Sequence, residues 1–224
     1  MPKAFLVAIF CTVLACKDSA PPAETRRPFR ELIAERSRTD TRPDSFSAAA
    51  DRGRTLGDST ASVWVVVVSD FQCRECKRWH EAVFPLIRKE YVATGRVRVA
   101  FLNRPLDAHL NAMPTALAGA CAAAQGKFWA TASRIFETQS RWSALPDARP
   151  FLDSLAIAAG ADAAPLRTCT ERAQAMKLIR TDIDRTTASG VDSLPTFFIG
   201  THRLVGPASA ATFRAVVDSA LAGR

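Results

Sequence analysis

Residues Ser62–Pro85 read SVWVVVVSDFQCRECKRWHEAVFP. The run from Ser62 to Val68 is continuous and β-branched, the pattern of a central strand buried on both faces. After the cysteines, Trp79, Val83, Leu86/Ile87 and Tyr91 recur at helical spacing. Arg74 to Thr94 therefore reads as helix, kinked at Pro85 where a backbone donor is missing. Cys73 and Cys76 thus stand at a strand-to-helix junction. Two cysteines so placed are metal ligands, a structural bridge or a reactive pair. A disulfide closing so short a loop gains little chain entropy, which makes it a poor staple. The free N–H groups and positive dipole end of a helix stabilise an anion there, so the first thiol ionises below the free value of about 8.5. The second thiol lies one turn on, within bonding reach. The position favours a reactive pair.

Working outward, RVRVAFL (Arg96–Leu102) alternates strictly and reads as a second strand. An Ala-rich helical region follows from Ala108 to Gly190. Its helix stops fall at Gly126, Gly160 and Gly190, and its starts at Asp147–Pro150 and Asp162. TFFIG (Thr196–Gly200) and HRLVG (His202–Gly206) form a hairpin pattern, and Ser209–Ala222 an amphipathic helix. The fold class is α/β: a β-α-β half and a β-β-α half, separated by a helical insertion at about residues 107–190. The folded domain is expected over 53–224, with its first element near Leu56.

The chain has 224 residues, 48% hydrophobic and 23% charged, enough for one domain with a full core. It opens MPKAFLVAIFCTVLAC, a short positive region followed by an apolar run too short to span a bilayer comfortably. Residues 1–15 read as a secretory leader. Val13-Leu14-Ala15-Cys16 resembles the lipobox of bacterial lipoproteins, which implies cleavage before Cys16 and a lipid on it. The alternative is a plain signal peptide with Cys16 incidental. An unpaired cysteine in an exported chain is a liability, which favours lipidation. Residues 16–52, rich in Ser, Pro, Ala, Arg and acidic residues, read as a tether with a helical turn or two around Phe29–Ile33. As flexible coil it would reach roughly 30–35 Å. The net charge of +8 is spread over scattered arginines, which argues against nucleic acid and suits an anionic lipid surface. Four cysteines remain after Cys16, an even number suited to an oxidising, extracytoplasmic compartment.

Three segments in order, SDFQCRECKRWHEAVFP (69–85), ACAAAQGKFW (120–129) and SGVDSLPTFFIG (189–200), carry a family resemblance. From about Leu56 to Leu221 the chain resembles DsbA-like thioredoxin-fold proteins of the bacterial extracytoplasmic type. The resemblance implies a thiol–disulfide oxidoreductase that needs no dissociable cofactor. It makes Cys73 the nucleophile, Cys76 the resolving thiol and Pro195 a cis-proline shaping the substrate groove, with the backbone of Leu194 pairing with bound peptide. Partners would be exported clients with cysteine pairs and a membrane redox partner that resets the enzyme. It also implies a structural disulfide between Cys121 and Cys169; from the residues alone, two buried free thiols serve equally. Such a bridge, closing about 49 residues, would stabilise by at most roughly 4 kcal/mol. The chain departs from its relatives in three places. Arg74-Glu75 stands between the cysteines, where relatives commonly begin with Pro. Val67 occupies the place of a buried acid, and Leu194 that of Thr or Val.

Net oxidation is the expected direction. Arg74, Lys77 and Arg78 favour the Cys73 thiolate and Glu75 opposes it, so its pKa is expected at roughly 4.5–6.5. A reductase or isomerase is the alternative within the same chemistry. From another class comes a copper or zinc carrier, since Cys73, Cys76 and His80 share one helical face at i, i+3 and i+7. No fourth ligand lies nearby in sequence, and His80 reads equally as an exposed polar residue. Trp79, Phe128, Trp129 and Phe136 read as core. His109 reads as a helix-start residue and His202 as a turn residue, neither with a catalytic role.

Overall fold

The structure, a computed structural model, describes residues 45–223. The leader, Cys16 and most of the tether lie outside the described residues. The strands are β1 (Thr55–Leu56), β2 (Val63–Ser69), β3 (Val97–Asn103), β4 (Thr196–Ile199) and β5 (His202–Val205). They form one sheet in the order β1-β3-β2-β4-β5. β2 and β3 run parallel, with Val65 beside Val99, and all other pairs are antiparallel. The valine run is thus the middle strand, as its composition requires. Only Trp64 in it is exposed, at 43%, and the Arg98 guanidinium lies 4.7 Å over its ring.

Before the sheet comes α1 (Ser45–Gly53); α2 (Arg74–Ala82) and α3 (Phe84–Ile87) link β2 to β3. The helix expected over Arg74–Thr94 breaks at Val83, Pro85 falls in the first turn of α3, and a π-helical turn follows at Arg88–Val92. Proline lacks the N–H that would continue the ladder. The insertion consists of α4 (Ala112–Ala124), α5 (Phe128–Glu137), α6 (Gln139–Trp142), α7 (Arg149–Ala158), α8 (Ala163–Glu171) and α9 (Met176–Ala188). The chain closes with α10 (Ala210–Ala222), N-capped by the Ser209 hydroxyl. Arg214 on α10 grips Glu90 of the π-turn with two hydrogen bonds of 2.6 and 2.7 Å.

One expected boundary is corrected. The tether, read as running through residue 52, already contains α1, with Ser47 and Ala50 buried. Small residues let it lie directly on α4: a Cβ on Gly53 would stand 1.8 Å from the Ala123 carbonyl oxygen. Just beyond, Arg54 is 1% exposed and pairs with Asp182 of α9 and with Asp51. Asp182 also accepts from the backbone and side-chain nitrogens of Asn103. Unpairing a buried charge is costly, so this cluster fixes α1, β3 and α9 together.

The main core lies on one face of the sheet, where Phe71, Phe101, Phe128 and Phe136 interlock and Trp79 packs 4.6 Å from Phe197. Cys121 of α4 and Cys169 of α8 are joined in a disulfide with Cα atoms 5.8 Å apart, both buried. Among the described residues no helix is long and apolar enough to cross a membrane.

Candidate active site

β2 ends at Ser69, and four residues later α2 begins, with Cys73 as its N-cap. The turn between them is held by Asp70, whose carbonyl accepts the Cys73 N–H at 3.1 Å and whose carboxylate accepts the Gln72 N–H at 2.7 Å. Cys73 has extended backbone, φ −70° and ψ 123°, which aims its sulfur along the new helix. The backbone N–H of Cys76 donates to that sulfur at 3.3 Å. Helix geometry places Cys76 beneath it, 1% exposed. Both thiols are free.

The two sulfurs are driven apart in acidity. The Cys76 thiol, donating to Cys73, is the largest influence lowering the Cys73 pKa, and the N–H groups of Cys76 and Glu75 add to it. Burial and the negative charge of Asp70 oppose them, leaving Cys73 at about 7. Burial pushes Cys76 well up, and the neighbouring Cys73 thiolate adds to that. The value for Cys73 lies above the roughly 4.5–6.5 expected from sequence. Burial of the thiol, which follows from tertiary packing, disfavours the thiolate most, and Asp70 adds a negative charge.

Cys73 opens into a cleft of about 590 Å³. Its walls are the turn Gln72–Glu75, Leu106 and His109 from the loop after β3, Gln139 and Ser143 from the insertion, and Asp192–Leu194. The Leu194–Pro195 peptide bond is cis, directly before β4. The insertion is fastened to the cysteine turn by side chains. Gln139 Nε2 donates to the Phe71 carbonyl at 2.7 Å and to that of Cys73 at 3.2 Å. The Gln72 amide accepts from the Asn111 N–H at 2.7 Å and donates to the Ser143 carbonyl at 3.2 Å. A half-ionised sulfur, 9% exposed at the floor of a cleft, beside a closed one and with Leu194 on the wall, suits attack on an extended peptide's disulfide, or, once the pair is oxidised, attack by a peptide thiolate on it.

Two histidine readings are corrected. His80 is 6% exposed rather than a surface residue: its ring lies against Phe84 and Phe136, and Nε2 is 3.1 Å from the Ser133 hydroxyl. Burial pushes its pKa down to about 4. It does not join the cysteines, and among the described residues no three His, Cys, Asp or Glu side chains gather to hold a metal. His109, read as a mere helix-start residue, instead lines the cleft with Nδ1 2.7 Å from Asp70 Oδ2. Asp70, Gln72, His109 and Gln139 were all missed as site residues. Of these, only Asp70 carried a signal: an acid at the end of an apolar run, three residues before Cys73.

A family model described as thioredoxin matches residues 49–219. A probable disulfide bond formation protein D of Bacillus cereus is 33% identical over 93 residues, 39% of this chain and 41% of the relative. The chain thus spans less than half the length of that relative. BdbD from Bacillus subtilis, in its oxidised crystal structure, superposes with a TM-score of 0.70 at 21% identity, covering 76% of this chain and 93% of the other. For alpha-DsbA1 of Wolbachia pipientis the TM-score is 0.67 at 22% identity, covering 76% and 91%. At these identities the two structures speak for the fold.

Proposed function

This chain belongs to the thioredoxin family, and from that premise we propose that it is a thiol–disulfide oxidoreductase that oxidises cysteine pairs in exported proteins. One observation carries the exchange chemistry: at the cleft floor the N–H of buried Cys76 donates to the Cys73 sulfur at 3.3 Å, with Cys73 lowered to about 7 and Cys76 raised. A client thiolate attacks Cys73 of the oxidised pair, and Cys76 leaves as thiolate. The second client thiolate then attacks the client's own bridged sulfur, Cys73 leaves, and the client disulfide is made. Leu194 offers backbone to the bound segment beside Pro195. The Cys121–Cys169 bridge, remote from the cleft lining, takes no part and serves stability. On the sequence reading, Cys16 carries a lipid, the following residues tether the domain, and a membrane partner reoxidises it. The relatives named for disulfide bond formation support the oxidising direction.

The test is trapping. Cys76→Ser should accumulate mixed disulfides through Cys73 on non-reducing gels, while Cys73→Ser should accumulate none; equal trapping by both would refute the assignment. A second reading, reduction, is favoured by the Cys73 value itself, since thioredoxin's attacking thiol also lies near 7. Equilibration with glutathione separates the two. A potential near thioredoxin's, about −270 mV, supports reduction, and one displaced toward that of DsbA, about −120 mV, supports oxidation.

A further inference from the structure

We propose that His109, oriented by Asp70, is a proton-transfer residue of the exchange reaction, acting on the client's second thiol in the cleft beside Cys73. The inference rests on the exchange reading above and assigns a residue that reading leaves unused.

The geometry is that of a held imidazole. Asp70 is 2% exposed, and its Oδ2 accepts both the Leu106 N–H at 2.9 Å and His109 Nδ1 at 2.7 Å. A carboxylate accepting at Nδ1 fixes the tautomer and leaves the basic nitrogen, Nε2, on the far edge of the ring. The His109 side chain is 26% exposed, and that exposure faces the cleft it lines with Cys73. Its backbone is pinned too, the N–H donating to the Leu106 carbonyl at 3.0 Å. The same Asp70 holds the cysteine turn through Gln72 and Cys73, so the sulfur and the imidazole are mounted on one residue.

The reaction has a proton to place. After the first attack the client is linked to Cys73, and its other cysteine, with an ordinary pKa near 8.5, is only a few per cent thiolate in neutral solution. His109 Nε2 takes that proton; the thiolate attacks the client's bridged sulfur; the Cys73–client bond breaks; and Cys73 keeps the electron pair as thiolate. The enzyme disulfide has gained two electrons and the client dithiol has lost them. One proton rests on Cys76 and one passes from His109 to water. In reverse, imidazolium protonates the departing client sulfur. No acid at Val67 offers an alternative: that side chain is apolar and 2% exposed. Asp70, which acts through the ring, is a positioning residue. The other titratable and charged groups sharing the cleft wall are Cys73, Arg74, Glu75 and Asp192.

The experiment mixes oxidised full-length protein with a reduced two-cysteine peptide in quenched flow, from about pH 5.5 to 8.5. His109→Asn keeps a donor where Nδ1 meets Asp70 and removes Nε2. It should slow peptide release by about tenfold or more at neutral pH, with the mixed disulfide accumulating. Its rate should then climb with the peptide thiol's own ionisation, and added imidazole should restore turnover in His109→Ala. Attack by glutathione on the oxidised pair, and its equilibrium, should move less than about threefold, because neither needs the second thiol's proton. Release by His109→Asn at the wild-type rate and pH profile would overturn the proposal. So would a slowing matched by an equal shift in the glutathione equilibrium, which would place the ring in the redox poise of Cys73 instead. Wild-type protein that leaves the peptide reduced would refute the oxidising reading itself, and this proposal with it.

Discussion

At the scale of single residues, a thiol at about 7 is half ionised in neutral solution, roughly 50-fold more than one left at 9.0. Labelling the reduced protein with iodoacetamide should therefore show Cys73 half-reactive near pH 7 and Cys76 silent over the same span, as mass mapping would read. A Cys73 that reacts only near pH 9 would contradict the geometry. His80 gives a second titration. The unfolded chain binds its proton near 6.5 and the folded one only near 4, so acid favours unfolding. Its contribution is whole above pH 6.5 and is lost as pH falls toward 4, about 3 kcal/mol in all. His80→Phe should flatten the stability curve across that window in denaturant melts; an unchanged slope would assign the loss to other groups. The cysteines were legible because their spacing and helix-start position are local facts. Asp70 and His109 were not recognised as a pair, because 39 residues separate them and only the loop after β3 brings them together.

Among the elements, those whose pattern is set by side-chain chemistry were legible. The valine run, the alternation of β3 and the helix stops at Gly126, Gly160 and Gly190, all at positive φ, were read correctly within a residue or two. The break between α8 and α9 was not, because it turns at Ala173 with φ 50°, where no glycine announces it. α1 was hidden for a different reason: it docks through small residues by close approach, and small residues between arginines look like linker. Gly53→Ala tests that docking. Its new methyl would meet the Ala123 carbonyl, a backbone atom that cannot move aside, so a loss on the order of 2–3 kcal/mol in thermal or urea unfolding is expected. A neutral effect would mean that α1 is not seated against α4.

Over the whole molecule, the cleft forms where four separated parts meet: the turn after β2, the loop after β3, the insertion, and the segment before β4. The two-half plan with its insertion was legible from the order of elements, but which insertion residues reach the cysteines was not, since Gln139 and Asn111 act through folding rather than spacing. This assembly leaves Cys73 of one sulfur pair at the cleft and seals the other pair, Cys121–Cys169, in the core. The most direct measurement is therefore a stoichiometric one. Oxidised protein is mixed with a reduced two-cysteine peptide, quenched, alkylated and mapped by mass. The expected result is one peptide disulfide for each protein, with Cys73 and Cys76 newly alkylated and Cys121–Cys169 still joined. A peptide left reduced, or alkylation appearing at Cys121 and Cys169 instead, would contradict it.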